Sequence, residues 1–520
     1  MARHVFAEEA ELETPLLVET NLDSDDGDVI FDRTLNEEDE RATKKFTFEE
    51  AVEEAGFGSF HWLLLVVCGW ANASDAVEIL CVSFLLPTAR CDLNLSSSDM
   101  GILTASIFLG MMVGGYAWGY LADQRGRCRV LVVSLTVNGV FGALASVAPS
   151  FWLFLLLRFI SGIGVGGSIP VIFSYFSEFM PRLRRGAMIS ALATFWMAGN
   201  ILAAGLAWSV IPQKWARFES WRVFVVLCSV PSLSSALVFK ALMPESPKFL
   251  MEAGREAEAA GVFQLMFKFN TWGKGKHKAF PLRVGRVSAI VENEQRLAAY
   301  RKVLSPIEEM FRGRLRTRSA ALLVVFYCIS FGFYGLWMWF PELLKRVEAG
   351  GSPCANATPA VSQDNQSCYP VKTAVYMEGF FIAASNLPGN IFTILMMDSI
   401  GGKALLSFSL VLSSISVFLI YLVKTKGHTL LLSCVFSGVS VIAWNALDVM
   451  GTELYPTHLR STALGFFTGV ARVAAIMGNV VFGRLVDTNC AVPVLLVSVL
   501  LLSGGFAALL LPQTKQTELT

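Results

Sequence analysis

A chain of 520 residues that is 54% hydrophobic and only 16% charged, with a mean hydropathy of +0.54, cannot fold as a soluble globule without exposing a large apolar surface. The 42 Lys and Arg residues balance the 42 Asp and Glu residues, so no excess of positive charge points to a nucleic-acid partner. The composition is that of a polytopic membrane protein whose partners are membrane lipid and whatever crosses it.

Residues 1–57 hold eighteen Asp and Glu against five Lys and Arg. They lack the apolar core of a cleavable signal peptide and predict a largely disordered cytosolic tail. Within it, Glu13-Thr-Pro-Leu16-Leu17 has the pattern of an acidic dileucine signal, which would engage sorting adaptors and direct the protein to a vesicular or endolysosomal membrane rather than the plasma membrane. Phe46–Ala55 has helical periodicity and is expected to lie along the cytosolic membrane surface.

Windows of about 20 apolar residues, the length that crosses ~30 Å of hydrocarbon, predict twelve spans: 60–86, 99–122, 129–148, 150–178, 187–211, 221–243, 319–341, 372–398, 404–423, 429–451, 462–484 and 491–511. The loops after spans 2 and 4 and the linker 244–318 are basic, for example at Arg125, Arg127, Arg182, Arg185 and Lys274. That bias places both termini, including the tail 512–520, in the cytosol. On the opposite, luminal side, Cys354 and Cys368 share the short loop 346–371 and are expected to form a disulfide; a second bridge between Cys91 and Cys490 is the weaker option. The sequons at Asn94, Asn356 and Asn365 all fall on that side, in agreement with the orientation. No Cys or His cluster suggests a metal, no nucleophile–base set suggests an enzyme, and no cofactor is expected.

The chain repeats itself. Asp123-Gln-Arg-Gly126-Arg127 after span 2 corresponds to Asp398-Ser-Ile-Gly401-Gly402 after span 8, and Glu178-Phe-Met-Pro181 with Arg185 corresponds to Glu453-Leu-Tyr-Pro456 with Arg460. The acidic members of both pairs lie 275 positions apart (398 − 123 and 453 − 178). One shared offset implies two pseudo-symmetric six-helix bundles, 58–243 and 319–511, in an all-α protein that works by rocking around a central cavity. Asp123, Arg127, Glu178, Arg185, Asp398, Glu453 and Arg460 are then expected to gate the cytosolic end, through ion pairs made in one conformation only.

Four ionisable side chains lie inside spans, where each costs about 2.5–3.5 kcal/mol on insertion scales. These are Asp75 and Glu78 in span 1, Asp448 in span 10 and Arg472 in span 11. No basic partner near midplane is evident for the first two, since Arg158 is expected close to the bilayer edge. Asp448 and Arg472 are either a structural ion pair or ligand anchors. Trp444 lies four residues from Asp448 and shares its helix face. Trp337 and Trp339 are expected in the interfacial aromatic belt.

Gly119-x-x-x-Asp123-x-x-Gly126-Arg127, Arg158-Phe-Ile-Ser-Gly162-Ile-Gly164, Pro244-Glu-Ser-Pro-Lys248 and Pro512-Gln-Thr-Lys515 resemble the motifs of the major facilitator superfamily across residues 60–515. More narrowly, Ser168-Ile-Pro-Val-Ile-Phe-Ser-Tyr-Phe-Ser-Glu-Phe179, Phe195-Trp196-Met197, Trp444-Asn-Ala-Leu-Asp448-Val and Ala471-Arg472-Val resemble the synaptic vesicle glycoprotein 2 and synaptic vesicle 2-related protein family. The loop 346–371 is too short to hold the long luminal pentapeptide-repeat domain of the vesicle glycoproteins, so the toxin-receptor role of that domain is not implied. The resemblance implies an aromatic clamp of Trp196 and Trp444 around a small ligand, with Asp448 as polar anchor and Tyr334, Phe333 and Arg472 completing the site.

These readings converge on a secondary active transporter for a small polar organic solute, best a cationic or zwitterionic amine held by cation–π contact. Protons are expected as the coupling ion, carried by Asp75, Glu78 or Asp448. A sugar stacked on the same indoles and a non-transporting trafficking scaffold are the alternatives.

Overall fold

A computed structural model describes residues 47–215, 217–271, 307–350, 354, 371–455 and 457–513, with the side chains of 349, 398, 452, 453 and 457–462 outside that set. Among the described residues there are helices and no strands, and twelve helices are long and apolar enough to cross a membrane. In chain order the spans are Ser59–Thr88, Ser97–Arg125, Arg127–Ala145, Phe151–Ser177, Arg182–Val210, Ser220–Leu242, Leu315–Glu348, Thr373–Met397, Gly402–Leu422, Lys426–Gly451, Ala463–Leu485 and Ala491–Leu509. Spans 1–6 form one half and spans 7–12 the other.

Local sequence sets the boundaries. Ser96 caps span 2 in a reciprocal box with Asp99, and Ser150 caps span 4, so Ala148-Pro149-Ser150 turns the chain as its residues require. The repeat is visible in the backbone: Gly126 and Gly401, 275 positions apart, both join two spans in a left-handed conformation, at φ 102° and 89°. Only glycine adopts that geometry without strain. Span 7 runs well beyond the expected 319–341, and span 8 is broken at Ser385 into Thr373–Ala384 and Asn386–Ile400.

Spans 1 and 7 are the most enclosed by protein and face each other across the midline. This corrects the expectation for Trp337 and Trp339, which are 3% and 0% exposed rather than sitting in an interfacial belt. Trp337 stacks on Phe333 at 5.2 Å and Trp339 on Phe482 at 6.1 Å. The belt rule applies to helices that touch lipid; span 7 is walled by other spans.

The halves meet most closely at the end predicted to be luminal. Spans 2 and 11 cross at Gly101 and Gly483, where a Cβ on Gly101 would lie 2.7 Å from the Asn479 carbonyl oxygen and 2.8 Å from Gly483 Cα. Nearby, Ser83 Oγ donates to the Met338 carbonyl at 2.8 Å and Lys345 Nζ to that of Pro87 at 3.3 Å. Glu342, 1% exposed, binds Arg90 of the first half at 3.2 Å and Arg346 of its own at 3.1 Å. Arg346 continues to Asp487 at 2.7 Å and to Ser97 Oγ at 3.4 Å. Burial pushes the Asp487 carboxyl up, but hydrogen bonds from Ser97 and Arg346 and the charges of Arg346 and Arg90 hold it below the usual carboxylate range. Its contribution to the closure is therefore present above the ordinary range and lost only as pH falls through the lowered value.

The disulfide expectation is corrected. Cys354 pairs with Cys490, 136 residues away with Cα atoms 5.3 Å apart, and not with the neighbouring Cys368, which lies outside the described residues. Helix packing brings the end of span 7 beside the start of span 12, and spatial proximity overrides sequence proximity. Cys91 is disulfide-bonded as well. The remaining described cysteines, Cys68, Cys81, Cys128, Cys228, Cys328 and Cys434, take part in no disulfide.

A second layer caps the first half at its other end. Phe48–Glu54 is a helix, as its periodicity predicts, opened by a Thr47–Glu50 capping box, and it buries Ala51 and Val52 against protein. Phe48 meets Phe263 of the linker helix Glu256–Thr271 at 6.2 Å. Asn270 of that helix accepts from the Phe60 amide at 3.1 Å and donates to the carbonyls of Ala55 and Gly56. One linker side chain thus caps the start of span 1.

Candidate functional site

The site assembles from spans 2, 7, 10 and 11. Tyr334, half-buried on span 7, lies 5.0 Å from the Phe108 ring, 5.3 Å from Phe333 and 5.8 Å from Trp444. Trp444 also meets Phe333 edge-on at 6.2 Å, and Phe436 backs Phe333 at 6.4 Å. The Arg472 guanidinium stands 5.9 Å from the centre of the Tyr334 ring. Five of the six expected binding residues, Phe333, Tyr334, Trp444, Asp448 and Arg472, therefore share one wall of the second half. Trp196, on span 5 of the first half, is a partly buried residue packed on the central core and, among the described residues, stacks on no other ring.

Asp448 differs from its sequence expectation in two ways. It is exposed, one helical turn below Trp444, rather than sealed in hydrocarbon. It also forms no ion pair with Arg472, so the structural-pair alternative fails in this conformation. The buried indole N–H of Trp444 likewise finds no partner among the described residues.

Two features went unnoticed in the sequence. Thr194 of span 5, Asn390 of span 8 and Asn445 of span 10 form a hydrogen-bonded chain between the halves: Asn390 Nδ2 donates to Thr194 Oγ1 at 3.3 Å, and Asn445 Nδ2 donates to Asn390 Oδ1 at 2.8 Å. Thr194 is two residues from Trp196 and Asn445 adjoins Trp444, so this chain ties both clamp helices together. Asn390, one of two amides with Asn386 in an otherwise apolar span, was the available signal.

The second feature is a buried polar cluster inside the first half. Asp75, 0% exposed, accepts from Ser168 Oγ at 2.6 Å and from Asn138 Nδ2 at 3.3 Å. Glu78, 1% exposed, accepts from Ser161 Oγ at 2.8 Å and forms an ion pair with Arg158, itself 0% exposed. Arg158 therefore supplies the basic partner that the sequence had not revealed, fully enclosed by the bundle. Gly142 makes room for the pair: a Cβ there would lie 2.9 Å from Glu78 Oε1.

The residues expected to gate form contacts within the first half. Arg127 reaches Asp123 at 3.5 Å and Glu178 at 2.7 Å. Burial raises the Glu178 carboxyl above its usual range, against the pull of Ser246 and Arg127. Arg185 binds Glu49 of the N-terminal helix at 3.1 Å. Among the described residues no ion pair joins the two halves at this end. The side chains of Asp398, Glu453 and Arg460 lie outside the described residues, as do Leu16, Leu17, Asn356 and Asn365. Asn94 is described and exposed in the loop after span 1. No group of His, Cys, Asp or Glu among the described residues could hold a metal.

Residues 68–362 match the family model of the Major Facilitator Superfamily. The chain is 32% identical to human synaptic vesicle glycoprotein 2C, over 94% of its own length and 84% of that protein. It is 31% identical to synaptic vesicle glycoprotein 2A of Rattus norvegicus, over 90% and 79%. Among solved structures it is similar to the partially occluded inward-open xylose transporter XylE from E. coli, with a TM-score of 0.65 and 18% identity over 89% of this chain and 100% of that one. That identity speaks for the fold alone.

By class, two six-span halves around a central aromatic site make this a transporter-fold protein, and the proteins of its class are transporters rather than enzymes. The chain belongs to the major facilitator superfamily and, within it, to the family of the synaptic vesicle glycoproteins 2.

Proposed function

We propose that this protein is a secondary active transporter that moves a small polar organic solute, best a cationic or zwitterionic amine, by alternating access across a vesicular or endolysosomal membrane. The observation that carries this reading is Asp448, exposed and unpaired beside the Trp444–Tyr334 rings while the opposite end of the molecule is closed around Glu342. An exposed, unpaired carboxylate beside aromatic rings, with one end of the molecule closed, is what one state of alternating access requires. The closed end is the luminal one if the basic loops are cytosolic.

Proton coupling falls best to Asp75. Glu78 is neutralised by Arg158, whereas Asp75 has only neutral hydrogen-bond donors. Two carboxylates against one guanidinium leave one negative charge in a sealed site, which a proton would cancel.

The test is uptake by purified protein in proteoliposomes, with an imposed pH gradient and a metabolite extract read by mass spectrometry. At least one solute should accumulate. Asp448→Asn should abolish that accumulation with folding intact. Asp75→Asn, which preserves size, should leave solute exchange in place and remove the dependence on the pH gradient. Accumulation unchanged in Asp448→Asn would overturn the site, and unchanged gradient dependence in Asp75→Asn the proton path.

A sugar is the second reading. The solved structures of similar fold transport xylose, and the Thr194–Asn390–Asn445 chain offers amide groups suited to hydroxyls beside two indoles.

A further inference from the structure

Asp448 and Arg472 lie on adjacent spans of the same half and leave each other unpaired. The two joined rings of the site link their positions: Trp444, one turn from Asp448, is 5.8 Å from Tyr334, and Tyr334 carries the Arg472 guanidinium at 5.9 Å. Neither charge has a counter-ion among the described residues. An uncompensated charge at membrane depth is costly, so side chains of opposite sign on neighbouring helices normally pair. Here they do not.

We infer that the solute is zwitterionic, with its cationic group at Asp448, its anionic group at Arg472 and its body along the Tyr334–Trp444 rings. This narrows the transport reading above and rests on its assignment of the site. The alternatives each leave a charge unsatisfied. A simple cation reaching Asp448 would meet repulsion from Arg472; a simple anion reaching Arg472 would meet Asp448. A neutral sugar would shield both charges from water without balancing either. A zwitterion balances both and adds no net charge to the cavity, so the loaded site stays neutral when the halves rock. The cationic end also gains from the indole face of Trp444, and the guanidinium fork suits a carboxylate.

The test is thermal unfolding of the full-length protein in detergent, with matched compound sets. Each set holds an amino acid or a betaine, its carboxamide, which keeps only the positive charge, and, where an amine is present, its N-acetyl derivative, which keeps only the negative one. Pentoses and hexoses complete the panel. At least one zwitterion should stabilise the protein and bind about tenfold or more tightly than its singly charged derivatives, the loss expected for one charged hydrogen bond. Arg472→Gln should erase the discrimination against the carboxamide, and Asp448→Asn that against the N-acetyl derivative. A sugar or a singly charged compound that binds best, a panel in which no zwitterion binds, or discrimination unmoved by either substitution would overturn the inference. Binding of a zwitterion without flux in proteoliposomes would instead sink the transport reading and leave this one standing.

Discussion

Replacing Arg158 with Met is expected to destabilise the protein by about 3–5 kcal/mol, the cost of stripping one partner from a buried ion pair. Arg158 is 0% exposed and Glu78 1%, so neither can turn to water. Without the guanidinium, Glu78 would keep Ser161 as donor and would lie in the same sealed cluster as Asp75, two acids with no base. The loss should appear as a large fall in the thermal midpoint in detergent. The double variant Arg158→Met/Glu78→Gln removes both charges and should recover a substantial part of it, because most of the single-variant cost is the stranded carboxylate and not a lost attraction. A double variant as unstable as the single one would mean that Arg158 acts through its packing, including its approach to the Phe154 ring at 5.4 Å.

Glu342→Gln is expected to shift the protein toward a form open at the end now closed. Among the described residues, Glu342 is the one carboxylate that binds Arg90 from the first half and Arg346 from the second. Glutamine fills the same space but cannot balance two guanidinium groups, which then repel across the seam; Arg346 retains Asp487. A loss of about 1.4 kcal/mol in the closed form is a tenfold change in population, and a double ion pair on a buried carboxylate supplies at least that. With Tyr334→Cys as reporter and Cys434 replaced by Ser, a membrane-impermeant maleimide applied from the side of the loop after span 1 should label about tenfold faster in the Glu342→Gln background. An unchanged rate would show that glycine-to-glycine packing at Gly101 and Gly483 holds this end alone.

Much of the architecture was legible because membrane physics leaves few choices. Length and apolarity fix the spans, and a single offset of 275 residues between Gly126 and Gly401 reappears as two identical left-handed turns. The shared face of Trp444 and Asp448 followed from helical spacing, which needs no tertiary information. What failed needed three dimensions. Arg158 is seven residues into a helix that starts at Phe151, about 10 Å from its end at 1.5 Å per residue, yet only the packing of spans 1 and 4 reveals its partner. Cys354 found Cys490 rather than the nearest cysteine in sequence. Trp337 and Trp339 were expected in a belt, but they lie on a helix that other spans enclose. The Arg90–Glu342 bridge joins residues 252 positions apart, and no periodicity announces such a pair.

Asn270 has a mechanical corollary. By capping span 1 from the linker, it makes the N-terminal helix, the first six spans and the linker up to Thr271 a single rigid unit, so the piece that rocks is larger than a six-helix bundle. A chain cut after Thr271 would sever no described contact. Two separately produced polypeptides, one ending there and the other supplying the rest, should therefore find each other in the membrane and restore the closed seam.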